Sequence, residues 1–174
     1  MSRRSEVSAG LIAFRRRQGL EVLLGHPGGP YWSNRDNGAW SIPKGATNEA
    51  ASDLLETAQR EFTEETGFVA KGPFIPLAPV KQRSGKTVHA FAFEADFDLA
   101  GFTSNIFELE WPPRSGQMQK FPEIDRVAYF PYAAALNKII DYQRPLLLDF
   151  AVALLDDRSV IEERSVRSII DGRT

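Results

Sequence analysis

Apolar residues run almost unbroken from Ser8 to Phe14 and again from Leu20 to Gly25, with Arg15-Arg16-Arg17-Gln18-Gly19 between them. This pattern predicts two strands joined as a hairpin. The stretch His26-Pro27-Gly28-Gly29-Pro30-Tyr31-Trp32 then interrupts regular structure with two prolines and two glycines, the mark of a surface loop. From residue 53 the period changes. Leu55, Ala58 and Phe62 recur at helical spacing, Asp53 and Glu56 have the spacing of a capping box with Ser52 as a competing N-cap, and Gly67 offers a left-handed stop. A helix is predicted over 53–66. Phe74–Val80 and Thr87–Phe97 read as strands around the turn Arg83-Ser84-Gly85-Lys86, the second lacking clean alternation until its end and therefore buried. Phe102–Arg114 contains two acids before Trp111-Pro112-Pro113-Arg114-Ser115-Gly116, a rigid and aromatic loop whose length suggests more than a connector. A late strand is predicted over Glu123–Phe130, then helices over Ala133–Tyr142 and Pro145–Leu155, with Pro145 suited to a first helical position.

The chain has 174 residues, 43% hydrophobic and 25% charged, enough for one well-buried core and too few for two ordinary domains. One domain is expected over 1–156, followed by a tail, 157–174, of unassigned role. In that tail Val160, Ile161, Val166, Ile169 and Ile170 permit a short amphipathic helix and a partner surface. A net charge of -2 gives no general pull toward nucleic acid or anionic membrane. The absence of cysteine rules out disulfides, zinc-thiolate sites and cysteine nucleophiles, and agrees with a cytoplasmic location. The apolar stretch before Arg15 is too short for a signal-peptide core, and no later run reaches membrane-spanning length.

Chemistry concentrates in Arg60-Glu61-Phe62-Thr63-Glu64-Glu65-Thr66-Gly67-Phe68. At about 100° per residue, Glu61, Glu64 and Glu65 share an arc of about 100° on one helical turn. Three anions so close repel unless a cation sits among them. Hard divalent ions such as Mg²⁺ or Mn²⁺ take carboxylate oxygens and keep positions open for water and substrate phosphates. Arg60 lies within one turn of Glu56 and Glu64, as an ordinary ion pair or as part of the site.

The order Arg60, Glu61, Phe62, Glu64, Glu65, Gly67, Phe68 resembles the second half of the Nudix box, R-E-U-x-E-E-x-G-U with U apolar. The resemblance implies an α/β fold, an α/β/α sandwich around a mixed central sheet, and Mg²⁺-dependent hydrolysis of a diphosphate bond, with Mn²⁺ as a substitute. It implies Glu61, Glu64 and Glu65 as metal ligands and Arg60 as the residue orienting them. The first half of the box departs from the family: Ala46 and Ser52 stand where a glycine and a glutamate are expected. Gly45, one residue early, suggests an insertion in the loop 46–51, from which Glu49 approximates the missing acid. Glu123, ahead of the late strand, is the candidate for a further ligand or general base, with Asp125 and Glu94 weaker alternatives.

Pro43-Lys44-Gly45 looks like the loop of diadenosine-polyphosphate and inositol-pyrophosphate members, with Lys44 and Gly45 positioned for a polyphosphate chain. Lys81, Arg83 and Lys86 form a basic cluster that would hold phosphates if its turn overhangs the acidic cleft. The expected substrate is a small phosphorylated molecule, a nucleoside polyphosphate or dinucleoside polyphosphate. One alternative is removal of pyrophosphate from RNA 5′ ends, using Arg15, Arg16, Arg17 and the Lys81–Lys86 cluster. Another is a Nudix-fold binding module that has lost activity, motivated by Ser52. Trp111 stacks on a base or packs under its loop, His89 is a strand histidine or a substrate contact, and many relatives are homodimers.

Overall fold

A computed structural model describes residues 6–47 and 53–156. Its centre is β1 (Val7–Arg16), buried along most of its length because helices cover both faces. Ala9, Leu11 and Ala13 turn to one side, where they meet Ala58 and Phe62 of α1 (Leu54–Thr66). Ile12 and Phe14 turn to the other and meet Leu147 and Phe150 of α3 (Arg144–Leu155). Strand alternation thus divides the apolar residues into two cores, one under each helical layer.

β1 pairs in parallel with β6 (Thr87–Glu94) on one edge, and β6 pairs antiparallel with the short β4 (Ile75–Pro76) and β5 (Val80–Lys81). The other edge of β1 is shared. Phe14–Arg16 pairs with β2 (Leu20–Pro27), and Ser8–Gly10 pairs with β3 (Lys44–Ala46). Beyond β2 lies β9 (Ile124–Pro131), antiparallel to it. The sheet is mixed, as expected, and the predicted hairpin of β1 and β2 is present.

The helix expected over 53–66 is α1. Asp53 is its N-cap, accepting from the Leu55 and Glu56 N–H groups at 3.0 and 3.1 Å. The competing N-cap, Ser52, lies outside the described residues, as do Glu49 and the tail 157–174. Gly67 ends the helix at φ 78°, its N–H donating to the Thr63 carbonyl at 2.8 Å. Phe62 is fully buried against Phe93, ring centroids 5.4 Å apart, which fixes the rotation of the helix on the sheet.

Three predicted elements differ. Phe102–Arg114 is not all loop: β7 (Ile106–Glu110) and β8 (Met118–Pro122) form a two-stranded hairpin, closed by 111–117. Ile106-Phe107-Glu108-Leu109-Glu110 does alternate, and the Pro/Gly-rich segment after it is the hairpin's turn. The strand predicted over Phe74–Val80 is split into β4 and β5, because Pro76 and Pro79 have no N–H to continue a ladder. The helix predicted over Ala133–Tyr142 ends early as α2 (Tyr132–Lys138). Ile139 instead bridges Trp40, whose carbonyl accepts from the Ile140 N–H at 2.8 Å.

Candidate functional site

The last turn of α1, β3 and the start of β9 converge. The Lys44 N–H donates to Glu65 Oε2 at 3.0 Å, tying β3 to the acidic turn. Gly45 follows, and a Cβ there would overlap the Glu61 carboxylate, so the absent side chain leaves that carboxylate its place.

Glu123 arrives by a different route. The Asn105 N–H donates to the Glu64 carbonyl at 3.0 Å, and the Asn105 carbonyl accepts from the Glu123 N–H at 2.9 Å. This backbone relay seats the base of the β7–β8 hairpin against the end of α1. Loss of hydration, then repulsion from Glu61, raises the Glu123 pKa, while the Lys44 charge opposes the rise. Glu65 is partly buried, and lost hydration pushes its pKa up to about 8; the Lys44 N–H and ammonium oppose this, and Glu61 and Glu123 add to it. Glu61, Glu65, Glu123 and Lys44 thus form one electrostatic group.

Glu64 behaves differently. It is half-exposed and turns toward Arg60, Nε to Oε1 3.8 Å, while Arg60 also donates to Glu61 Oε1 at 3.3 Å. Arg60 thus reaches both Glu61 and Glu64 from an exposed position. Among the described residues no group of three histidine, aspartate or glutamate side chains is placed to hold a metal ion. The donor set nevertheless suits a hard cation, because crowded, poorly hydrated carboxylates are relieved by positive charge among them.

Buried polar groups brace this arrangement from behind. The Gln143 side chain, fully buried, accepts from the Ile42 N–H at 3.0 Å and donates to Ser41 Oγ at 2.9 Å, anchoring the segment that leads into Lys44. His26, also fully buried, faces Asp125 Oδ1 from Nδ1 at 2.9 Å and the Arg35 carbonyl from Nε2 at 2.6 Å. It joins β2, β9 and the intervening loop. Neither residue stood out in the sequence, since their partners are far away along the chain.

The remaining candidates lie elsewhere. Glu94 pairs with Arg16 at 2.8 Å, and Asp125 is held by His26 and Arg126. His89 sits on β6 opposite Ala9. Lys81, Arg83 and Lys86 flank the β5–β6 turn, with β6 and β1 between them and β3 in the sheet, and Lys86 pairs with Glu6 at 3.4 Å. Trp111 packs edge to face on Tyr31, ring centroids 5.2 Å apart.

A helix-covered mixed sheet that sets an acidic helical turn against a Lys-Gly strand has the features of a diphosphate hydrolase. Residues 4–150 match the family model described as the NUDIX domain, and the chain belongs to the Nudix family of pyrophosphohydrolases. An uncharacterized 17.7 kDa protein of Enterobacteria phage T4, from the e-segB intergenic region, is 28% identical over 127 residues, 72% of this chain and 82% of that one. The fold resembles the NUDIX domain of Shewanella oneidensis NrtR complexed with ADP ribose, with TM-score 0.60, 17% identity, and coverage of 88% of this chain and 90% of that one. It also resembles the MutT protein of Methanosarcina mazei Go1, with TM-score 0.59, 18% identity and coverage of 88% and 98%. A third likeness is to a C. elegans Ap4A hydrolase, with TM-score 0.58, 20% identity and coverage of 86% and 98%. At these identities the likeness is one of fold. Among the described residues no helix is long and apolar enough to cross a membrane.

Proposed function

We propose that this protein is a Mg²⁺-dependent hydrolase that cleaves a diphosphate bond in a nucleoside polyphosphate or dinucleoside polyphosphate, with Mn²⁺ as a substitute ion. The observation that carries this reading is the approach of β3 to the acidic turn, where the Lys44 N–H bonds Glu65 Oε2 at 3.0 Å and Gly45 leaves room for the Glu61 carboxylate. Glu61, Glu64 and Glu65, with Glu123 as a further candidate, would hold a divalent ion, which would supply positive charge at the diphosphate oxygens and acidity to the attacking water. Lys44 adds its own cation on the β3 side and binds a phosphate oxygen. Arg60 restrains Glu61 and Glu64, limiting the motion of two donors. Glu123 or one of the box glutamates accepts the proton of the attacking water at a carboxylate oxygen.

The RNA-end alternative draws no support from the arginine turn, because Arg15, Arg16 and Arg17 are ion-paired with Glu21, Asp96 and Glu94. Phosphate and pyrophosphate release from nucleotides, dinucleoside polyphosphates, nucleotide sugars and 5′-triphosphorylated RNA, with Mg²⁺ or Mn²⁺ and with Glu65→Gln as control, tests the proposal. Metal-dependent cleavage of nucleotides or dinucleoside polyphosphates, lost in the variant, is expected. Metal binding with no turnover across the panel would favour a binding module instead.

A further inference from the structure

β2 and β9 slip out of register just before Glu123. His26 pairs with Arg126, yet its neighbour Pro27 pairs with Ile124, so Asp125 is the extra residue of a β-bulge. Pro27 has no N–H to continue the ladder, which favours the slip at this point. The side chains record it. Val127 and Tyr129 join the core under α1, while Ala128 and Phe130 join the core under α3, so strict alternation would turn Asp125 toward α1. Asp125 instead faces the His26 ring, which packs 5.2 Å from Trp40 in the α3-side core. Arg126 lies on that side too, its guanidinium 5.3 Å from the Trp40 centroid. Two consecutive residues on one face are what an extra residue in a strand produces.

Hydrogen-bond arithmetic gives the form of His26. Its Nδ1 stands 2.9 Å from Asp125 Oδ1 and its Nε2 stands 2.6 Å from the Arg35 carbonyl oxygen. A carbonyl only accepts, as does an ionised carboxylate, and Asp125 Oδ1 accepts from Arg126 as well, at 3.4 Å. A neutral imidazole has one N–H and would set its other nitrogen's lone pair against an oxygen lone pair. No water reaches His26 to relieve that, because the residue is fully buried.

Both bonds lead to Glu123. Asp125 stands two residues after it, and the loop that holds Arg35 starts at Gly28, whose N–H donates to the Glu123 carbonyl at 3.0 Å. A Cβ on Gly28 would overlap the Pro122 carbonyl, so this loop lies directly on the segment that carries Glu123. We propose that His26, as an imidazolium donating from both nitrogens, is a positioning residue for Glu123, locking the bulge at Asp125 and the loop at Arg35. Its kinetic consequence rests on the hydrolase reading above; its structural consequence does not.

The test joins nitrogen NMR, hydrogen exchange and kinetics on wild type, His26→Gln, His26→Asn and Asp125→Ala. In wild type at neutral pH both His26 ring nitrogens are expected at the shift of a protonated nitrogen, and one unprotonated nitrogen overturns the imidazolium. The glutamine amide reaches toward Arg35 as Nε2 does, and the asparagine amide toward Asp125 as Nδ1 does, so each variant keeps one donor without the charge. Asp125→Ala, at a partly exposed residue, removes one anchor and serves if neither His26 variant folds. Each folded variant is expected to exchange the Glu123 N–H, bonded to the Asn105 carbonyl, about tenfold faster relative to the amides of β1. Turnover, kcat, on the cleaved diphosphate should fall about tenfold at little change in KM. Equal acceleration at Glu123 and in β1, as from a general loss of stability, or wild-type kcat in every variant overturns the positioning role. If wild type cleaves no diphosphate, the hydrolase reading fails separately, and the NMR and exchange results decide this one.

Discussion

The two ends of β1 carry opposite answers to the same electrostatic problem. At its C-terminal end, the cations of Arg15, Arg16 and Arg17 are each met by a carboxylate: Glu21 and Asp96 for Arg15, Glu94 for Arg16, and Asp96 again for Arg17. Arg15 also lies over the Tyr129 ring, 3.8 Å from its centroid. At the N-terminal end, beside β3, Glu61, Glu65 and Glu123 lie together with Lys44, a backbone N–H and, on Glu61, the exposed Arg60 to set against them. The first region is electrically closed. The second gathers carboxylates in a partly dehydrated place, at a cost to folding that a bound cation would relieve. Charge left uncompensated in a cleft is a better guide to function than the density of charge along the sequence.

The sharpest way to break this comparison is Glu65→Gln. The amide keeps the shape and can still accept the Lys44 N–H, yet it removes the anion that the open region is built around. Turnover on the best diphosphate substrate is expected to fall by orders of magnitude with the thermal midpoint undiminished. Near-wild-type turnover would sink the assignment of the site. Gly45→Ala comes next. Its added methyl meets the mobile end of Glu61 rather than backbone, so the carboxylate is displaced and the fold survives. A shift of about 1 Å in a reacting group can cost about a hundredfold. Kinetics combined with Mn²⁺ titration should therefore show lower kcat and weaker metal binding at little change in Tm; unchanged metal affinity would mean that Glu61 does not need that position.

Legibility followed the same division. The acidic turn was readable because its residues lie within one turn of one helix, where spacing alone decides which side chains are neighbours. The β1–β2 hairpin and α1, with its caps, were readable for the same local reason. The role of Gly45 was not, since only the approach of β3 to α1 shows that its missing side chain makes room for Glu61. Glu123 was found through family resemblance, and the Asn105 backbone relay that seats it has no sequence signature. The β7–β8 hairpin was passed over because the turn's prolines and glycines outweighed a short alternating run. Arg15–Arg17 read chiefly as a charged turn, with phosphate contact as the alternative, and their carboxylate partners Glu94 and Asp96, across the sheet, had no signal in one dimension.

Stability against pH sharpens the contrast, because the two regions titrate with opposite sign. Glu65 has its folded-state pKa raised from 4.5 to about 8, by lost hydration first. Its favourable contribution is complete below its unfolded value and is lost as pH rises through about 8. Metal-free protein, kept in chelator, should lose Tm across that interval. Mg²⁺ should restore part of the loss, and Glu65→Gln should flatten it. Asp96 runs the other way: hydrogen bonds from Arg17, then Arg15, hold its pKa below the ordinary 3.8. Its contribution is present above that value and disappears as pH falls further. A metal-free Tm that is flat from pH 5 to pH 8 would contradict the crowding described for Glu65.

The smallest effect is expected from Asp96→Asn, at the closed end. Asp96 is exposed, and exposed ion pairs contribute little because water and salt screen them. Arg15 keeps Glu21 and the Tyr129 ring when Asp96 is neutralised, so the network is thinned rather than broken. A small drop in Tm at low salt, vanishing at high salt, with turnover and metal affinity unchanged, is the expected result. A large loss of turnover would mean that the arginine turn communicates with the site along β1. The two ends of the strand would then have to be treated as one functional unit, and the separation between closed and open charge would fail.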